Sequence, residues 1–406
     1  MPVAARLALA ATLLATLLRA ASATPIMSAA YRSTTAAPPT PPPGYRWYDR
    51  AKVGLQLSFA PSSQWPAASA KRALVCAKPP SEAAPCILAG PSAALDTNIT
   101  NAEELSKHRR EYWRLSRTWE PSEFNATALV ALAASIGAKY IVGTAVSEDG
   151  FALWPSKVSS YAVGLADAPK APADMLAELS AAARASPNRP KFGVHYAKAH
   201  WGLPSYWRGF DFGRNESVPA APATAFGEGA NYMAPSEPDL WLAYVAYQQA
   251  QLSELSAEPY AIDLLRLGSK FVVGPALDTQ VTDSIKKLRA ARPNAMAMDE
   301  GGWGDFDAGD GRCALPEEGS HHLYLPQRKW ECEHPIGKHS TYSASDVYKP
   351  ARVLVHALVR TVARGGNHLL QLGLGPSGKV DEGAAEQLEL LGRWMAVNSE
   401  AITSSR

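Results

Sequence analysis

Several features that mark common protein classes are scarce or missing in this sequence. Its 406 residues include only four cysteines, and no two of them have the C-x2–4-C spacing of structural zinc sites. The formal net charge is +2 and no Lys/Arg run concentrates it, so neither nucleic acid nor an anionic membrane is indicated as a partner. What remains is a globular chain, 47% hydrophobic and 19% charged, long enough for one barrel-sized domain of about 250 residues or more.

The N-terminal region has the composition of a secretory signal and not of a membrane span. Arg6 precedes an apolar run over 7–18 that is too short to cross a bilayer, and Ala-Ser-Ala ends at Ala23. The protein is therefore predicted to be secreted or lumenal, in an endomembrane or lysosome-like compartment. The predicted organisation is a signal peptide, a Pro-rich linker and one domain, over 1–23, 24–44 and 45–406.

The cysteines and the glycosylation triplets fit an exported protein. Two cysteine pairs lie close in the sequence, and an oxidising compartment favours short-loop disulfides, although three connectivities are possible. The expected bonds are Cys76–Cys86 and Cys313–Cys332. The N-x-[ST] triplets that could accept glycans begin at Asn98, Asn125 and Asn215.

Apolar spacing predicts alternating strands and helices over most of the chain. Short β-branched and apolar runs predict buried strands, and 3.6-residue periodicity predicts helices, the first of them capped by Asn125. The segment between Trp65 and Arg117 looks rich in loops. The predicted strands cover 52–60, 139–145, 191–197, 270–276 and 294–298, and the predicted helices cover 128–136, 170–185, 239–255, 282–292, 343–362 and 386–397.

The most informative stretch, AKYIVGTAVSEDGFALWPSK over 138–157, is an apolar strand followed by a polar and aromatic loop. It resembles the α-L-fucosidases of glycoside hydrolase family 29, which carry A-K-Y, an apolar strand and then Lys-His-His-Asp-Gly-Phe-x-x-Trp-x-Ser. Further similar motifs follow in the same order, namely Gly304-Asp305-Phe306, Leu325-Pro326 with Lys329-Trp330-Glu331, and Gly365-Gly366-Asn367. The resemblance spans about residues 45 to 402.

The resemblance implies a fold, a reaction and a partner. The expected fold is α/β, a distorted (β/α)8-like barrel of the TIM type without the C-terminal β-sandwich common in the family, and its pocket lies at the carboxyl ends of the strands. The implied partner is a fucosylated glycan or another carbohydrate, with no cofactor and no metal. It leaves the oligomeric state open.

Several positions where the family holds its sugar carry other residues here. Ser58 stands at a sugar-binding His, Ser147 and Glu148 replace the two His before Asp-Gly-Phe, and Glu300 reverses the charge of an Arg. His195 is expected near the pocket rim. Other side chains expected to line the pocket are Tyr196, His200, Trp201 and Trp330.

The two catalytic carboxylates of the family are only partly matched. Counted from Leu267-Gly268, the nucleophile position falls on Pro275, which has no carboxylate, and Asp278 could substitute only through a bulge or a shifted register. Glu317 matches the acid/base, with Glu318 as an adjacent rival. The Cys313–Cys332 bond would brace the loop that bears Glu317.

Three functions are consistent with these residues. In the first, the chain is a fucosidase-like protein whose catalysis is impaired or altered because its nucleophile position is lost. In the second, it is an active retaining α-L-fucosidase or other glycosidase that uses Glu317 as acid/base and a displaced carboxylate, Asp278 above all. In the third, it is a non-catalytic glycan-binding protein.

We predict that peptide mapping of the unreduced protein will recover Cys76 linked to Cys86 and Cys313 linked to Cys332. Both bonds close short loops in a protein whose N-terminus indicates an oxidising compartment. A map of the same protein after reduction serves as the control. Peptides that join Cys76 to Cys313 or Cys332, or four free thiols, would contradict this pairing.

Overall fold

The described part of the chain is organised around eight parallel strands that follow one another in sequence order. The computed structural model describes residues 42–65, 102–165, 168–198, 200, 238–268, 277–300, 304–308 and 329–403, with the backbone alone at 102–109, 238, 240–241, 277–281 and 308. All of these residues belong to one unit, Pro38–Arg406. No helix among them is both long enough and apolar enough to cross a bilayer.

Helices alternate with these strands along most of the described chain. The strands are β1 (Val53–Ser58), β2 (Tyr140–Val146), β3 (Lys191–Ala197), β4 (Leu264–Gly268), β5 (Met296–Asp299), β6 (Asp307–Ala308), β7 (Trp330–Pro335) and β8 (Asn367–Gly373). The helices are α1 (Tyr45–Ala51), α2 (Ala102–Thr118), α3 (Ala126–Ser135), α4 (Met175–Ala185), α5 (Pro238–Ser256), α6 (Leu277–Ala291), α7 (Ala351–Ala363) and α8 (Glu382–Thr403).

The sheet closes into a barrel that is irregular at one seam. The strand order is β5-β4-β3-β2-β1-β8-β7-β6, so β1 pairs with both β2 and β8. The two ends of this order meet through a single parallel bridge between Met298 and Phe306. The short β5 and the two-residue β6 give the barrel its distortion. The predicted (β/α)8-like fold is confirmed.

Alternation along the strands separates the inside of the barrel from the layer beneath the helices. On β4, Leu265 and Leu267 pack in the large outer core, whereas Leu264 belongs to a second cluster with Met296 and Leu369. Because successive side chains of a strand point to opposite faces, the in-pointing positions of β4 are 264, 266 and 268. The barrel interior therefore begins with an apolar floor and becomes polar towards the carboxyl ends.

Helix α1 closes the amino-terminal end of the barrel. Its Tyr48 is fully buried and stacks on Phe306 with ring centroids 4.1 Å apart. The side chain of Asn367 donates to the Tyr48 carbonyl over 2.7 Å, which ties α1 to the start of β8. Apolar and aromatic contacts thus exclude water from this end, and the cavity opens at the other end.

Helix starts agree with side-chain capping. The Asn125 side chain accepts a hydrogen bond from Ala128 N over 2.9 Å, so the predicted cap of α3 is present. Helix α4 begins at Met175 and not at Lys170, because Asp174 caps it by accepting from Ala177 N over 2.9 Å. The predicted start of that helix was therefore wrong by about one turn.

Six elements are absent from the sequence-based prediction. Helix α2 occupies part of a segment that looked rich in loops, and α1, β4, β6, β7 and β8 were not predicted as a helix or strands. The strand predicted over 270–276 lies outside the described residues, and the description resumes with α6 at Leu277. The fourth strand of the barrel is Leu264–Gly268, which lies earlier in the chain.

Charged side chains are buried inside the barrel above its apolar floor. The Arg266 guanidinium and the Glu331 carboxylate are both fully buried, and their nearest N and O atoms are 2.9 Å apart. Glu331 also accepts hydrogen bonds from the hydroxyls of Tyr48 and Tyr140. Arg266 forms a second ion pair with Glu333, on the next in-pointing position of β7, and donates to Gln56 over 2.5 Å.

We predict that Arg266→Met lowers the free energy of unfolding by about 3–5 kcal/mol, because it leaves two carboxylates in the barrel without their cation. Burial already raises the pKa of Glu331. The loss should be larger at pH 8 than at pH 5, since a carboxyl with a raised pKa binds protons in the folded state that it lacks when unfolded.

Urea unfolding of both proteins at the two pH values measures this difference. Arg393→Met on α8 is the matched control, because the Arg393–Glu389 pair is exposed and contributes little. A stability of Arg266→Met equal to that of the parent at pH 8 would contradict the prediction.

Candidate functional site

A cavity of about 220 Å3 opens at the carboxyl ends of the strands. Barrels of this type place their sites at this end, because the loops that follow the strands converge there. Ser58, Ser147, Glu148 and Glu300, all expected at the site, lie in its wall, and His195 lies there as well. The other lining residues include Gln56, Thr144, Glu333, Tyr342 and Gln371.

The loop after β2 carries the matched Asp-Gly-Phe motif and is held by its aspartate. The buried Asp149 carboxylate accepts hydrogen bonds from Tyr112 Oη over 2.5 Å, from Ser147 Oγ over 2.6 Å and from Phe151 N over 3.1 Å. Asp149 is thus engaged in the structure of the loop. The loop in turn presents Ser147 and Glu148 to the cavity.

Glycine is required in the middle of this loop. Gly150 has a φ of +83°, and a Cβ built on it would lie 1.9 Å from the His200 ring. His200 is buried and its ring packs against Tyr247, with centroids 5.5 Å apart. It is not among the residues that line the cavity. The expected pocket histidine therefore supports the back of the loop.

Two other expected lining residues also face away from the cavity. Tyr196 is buried on β3 and its hydroxyl donates to Gln251 of α5 over 2.7 Å, because its position in the strand points outward. Trp330 is buried on β7 and its indole donates to the Arg364 carbonyl over 3.2 Å. Neither lies among the described lining residues, so the expectation that they line the pocket is corrected.

Glu333 accepts hydrogen bonds from Arg266 and Gln371. Its Oε1 accepts a hydrogen bond from the Arg266 guanidinium. Its Oε2 accepts one from Gln371 Nε2 over 2.9 Å. Burial alone would raise the pKa of Glu333, but the charge and hydrogen bond of Arg266 outweigh it and hold the pKa below its usual value. This carboxylate is therefore ionised at neutral pH.

The pKa of Glu300, directly after β5, is shifted in the direction opposite to that of Glu333. Burial, followed by the negative charge of Glu333, raises its pKa to about 7. Arg266 and Lys198 oppose that shift, and Glu148 adds to it. Lys198 is itself buried in an ion pair with Asp299. Near neutral pH, Glu300 therefore exchanges a proton while Glu333 stays charged.

The end of β4 has no side chain to offer to the cavity. A Cβ built on the in-pointing Gly268 would lie 2.4 Å from Cε1 of His195, so the histidine ring occupies the space next to it. His195 comes from β3, where it is paired in register with Arg266. The wall of the cavity at β4 is therefore formed by an imidazole from the neighbouring strand.

Several expected site residues lie outside the described part of the chain. These are Pro275, Glu317, Glu318 and Trp201, and for Asp278 only its place in the first turn of α6 is described. Asn125 is exposed at the start of α3. Cys332 is buried on β7 and is disulfide-bonded. Its pairing stays a prediction, because Cys76, Cys86 and Cys313 lie outside the described residues, as do Asn98 and Asn215.

Sequence reasoning missed Arg266, Glu333 and Gln371. One signal for Arg266 was available, because a single arginine inside the apolar run LLRLG needs a buried partner. The alternation of Glu331 and Glu333 in WECE places both on one face of a strand. Within the described residues, no group of three His, Cys, Asp or Glu side chains is arranged to hold a metal ion.

Comparison with known structures identifies the same barrel. The chain superposes on an α-L-fucosidase from Paenibacillus thiaminolyticus with a TM-score of 0.64 at 20% identity, covering 89% of this chain and 77% of the other. A Bacteroides thetaiotaomicron α-L-fucosidase, trapped as a covalent intermediate, gives a TM-score of 0.66 at 18% identity, covering 91% and 78%. The Thermotoga maritima enzyme in complex with fucose gives 0.63 at 21% identity, covering 90% and 76%.

Sequence comparison agrees with this fold. The tissue α-L-fucosidase of Macaca fascicularis is 27% identical over 286 residues, 66% of this chain and 53% of the relative. The plasma α-L-fucosidase of Rattus norvegicus is 27% identical over 285 residues, which cover 69% of this chain and 56% of the relative. This chain thus aligns with little more than half the length of these curated relatives. The family model for α-L-fucosidase matches residues 19–400, and the chain belongs to the α-L-fucosidase family.

Proposed function

We propose that the chain is a secreted member of this family that binds a carbohydrate in the barrel cavity and does not hydrolyse α-L-fucosides at a family-like rate. The observation that carries the proposal is the end of β4, where Gly268 has no side chain and His195 fills the adjacent space. A retaining glycosidase needs one carboxylate below the anomeric carbon and a second beside the leaving oxygen.

The position of β4 supports a new register for the family nucleophile. The family pattern on the corresponding strand is Pro-Asp-x-x-Trp-x-Asp-Gly, with its second Asp as the nucleophile. Since β4 directly follows Asp263, this pattern fits Asp263 to Gly268 better than it fits residues before Pro275. Gly268 points inward, as a nucleophile must. In either register the position has no carboxylate.

The remaining sugar-binding positions have also changed in chemical character. Ser58 and Ser147 offer hydroxyls where the resemblance implies imidazoles, and Glu148 and Glu300 add acidic groups to the same wall. Each lost hydrogen bond to a sugar hydroxyl costs roughly 1–3 kcal/mol when its partner stays buried. These replacements favour weak affinity for fucose, or a preference for another sugar.

The loss of the nucleophile is expected to lower the rate of hydrolysis more than the other replacements do. Removing a covalent nucleophile from a hydrolase can lower its rate on the order of 10^6-fold. Asp278 could compensate only by reaching the cavity from the first turn of α6, beyond the end of β4. A misplacement near 1 Å already costs about 100-fold. An active retaining enzyme with Glu317 and Asp278 is therefore the less favoured alternative.

We predict that purified protein turns over 4-nitrophenyl α-L-fucoside at least about 10^4-fold more slowly than a family enzyme assayed beside it. The expected deficit follows from the lost nucleophile. Asp278→Asn and Glu317→Gln are the matched variants, and both should leave the residual rate within a few-fold. Robust turnover that Asp278→Asn abolishes would contradict the proposal. Glycan-array binding by the same preparation tests the carbohydrate-binding part.

Secretion is proposed from the N-terminal sequence. The charged start, the short apolar run and the Ala-Ser-Ala end support cleavage after Ala23. We predict that the protein recovered from the medium or lumen of an expressing eukaryotic cell starts near Thr24. N-terminal sequencing measures this, with the intracellular precursor as the control. An exported protein that retained residues 1–23 would contradict it.

A further inference from the structure

We propose that Glu300 and Glu333 form a relocated catalytic pair, in which Glu300 is the acid/base and Glu333 the nucleophile of a retaining glycosidase acting on glycosides other than α-L-fucosides. The inference rests on the proposed function in one respect, since it requires a sugar to bind in this cavity. It uses neither the family nucleophile position on β4 nor the loop that bears Glu317.

The barrel presents these two carboxylates to one cavity from different strands. Glu333 is on β7, and Glu300 follows β5, whose end is held by the hydrogen bond from Glu300 N to Leu267 O over 3.1 Å. Arg266 and Gln371 fix both oxygens of Glu333. Each oxygen of an ionised carboxylate has two lone-pair sites, so a hydrogen bond to an oxygen does not by itself prevent its attack on a substrate carbon.

Their protonation states suit two different roles. An acid/base must hold a proton near neutral pH, and burial together with Glu333 gives Glu300 a pKa of about 7. A nucleophile must be ionised, and Arg266 keeps the pKa of Glu333 below its usual value. Two carboxyls whose environments move their pKa values apart are the usual sign of an acid and its partner. Among the described residues, Arg266 and Lys198 lower the pKa of Glu300 and Glu148 raises it further.

The reaction balances with water as the only co-reactant. A Glu333 oxygen forms a bond to the anomeric carbon while the bond from that carbon to the glycosidic oxygen breaks, and Glu300 gives its proton to the leaving oxygen. Water then attacks the same carbon, Glu300 takes the proton of the water, and the ester to Glu333 breaks. Both carboxyl groups return to their starting states, and the products are a sugar and an alcohol.

The coupling between the two groups supports the change of role of Glu300. The charge of Glu333 is one cause of the raised pKa of Glu300. Once Glu333 is esterified that charge is gone, so the pKa of Glu300 falls and the group becomes a base. An acid that turns into a base between the two steps is what retention of configuration requires.

The cavity also indicates the class of substrate. Its volume of about 220 Å3 is below the range of about 300–1,000 Å3 of pockets for drug-sized ligands, which suits one sugar ring. Its wall bears hydroxyl groups from Ser58, Thr144 and Ser147, together with the amide of Gln371. Thr144 and Ser147 already donate to Leu57 O and to Asp149, so toward the hydroxyls of a neutral monosaccharide they are hydrogen-bond acceptors.

The test is a panel of monosaccharide glycosides carrying either 2,4-dinitrophenol or phenol as leaving group, with α- and β-D-galactosides, glucosides, mannosides and α-L-rhamnosides. For at least one sugar, both the dinitrophenyl and the phenyl glycoside should be hydrolysed. On the phenyl glycoside, Glu300→Gln should lower kcat about 10^2–10^4-fold, because the leaving oxygen needs a proton. On the dinitrophenyl glycoside the leaving group needs no proton, so the rate of the first step should be nearly unchanged in this variant. In the parent, kcat/KM should fall as pH rises through about 7, because Glu300 loses its proton. In Glu300→Gln this decrease of kcat/KM at high pH should be absent.

Glu382→Gln, an exposed carboxylate of α8, is the matched control and should leave all rates unchanged. Glu333→Gln should abolish turnover of both leaving groups. Because that variant leaves Arg266 with only one carboxylate, the parent protein supplies a second measurement that needs no variant. Incubation with the 2-deoxy-2-fluoro glycosyl fluoride of the sugar turned over should place the label on Glu333 in peptide mass spectrometry.

The outcomes separate this inference from the proposed function. No turnover of any glycoside in the panel, a label on another residue, or a loss of rate in Glu317→Gln but not in Glu300→Gln would overturn the relocated pair. Binding on the glycan array would leave the proposed function standing in each of these cases. Turnover of α-L-fucosides abolished by Asp278→Asn would instead overturn the proposed function.

Discussion

The guanidinium of Arg266 neutralises carboxylates that the inside of the barrel could not otherwise hold. Glu331 lies below it on β7 and Glu333 lies above it, so one cation serves both the floor and the cavity wall. The hydroxyls of Tyr48 and Tyr140 donate to Glu331, and the amide of Gln371 donates to Glu333. Because a buried ion pair is costly to break from one side, these residues constrain one another.

This arrangement connects stability with the chemistry of the cavity. The same arginine that stabilises the core keeps Glu333 ionised, and the ionised Glu333 in turn raises the pKa of Glu300. A change at Arg266 therefore alters the fold and the proton affinity of the wall together. The family model matches residues 19–400, and one of the buried carboxylates, Glu331, belongs to a motif that resembles the family pattern.

Much of the fold could be predicted from local patterns, and the failures have physical reasons. The strand at 191–197 and the Asn125 cap of α3 followed from apolar runs and capping chemistry. Strand β4 was passed over because Arg266 interrupts a short apolar run, and its partners lie far along the chain on β7. At the site, Ser58, Ser147, Glu148 and Glu300 came from aligned motifs. Tyr196 and Trp330 did not line the cavity, because a motif does not reveal which face of a strand a side chain occupies.

The contact between Gly268 and His195 also restricts the order in which this barrel can change during evolution. Any side chain gained at position 268 meets the imidazole at once, since even its first carbon would lie 2.4 Å from the ring. A substitution at 268 is therefore tolerated only after position 195 has changed or its ring has rotated away. A side chain at 268 and the present position of the imidazole therefore exclude each other. The two positions, 73 residues apart in the sequence, limit which residue the other can carry.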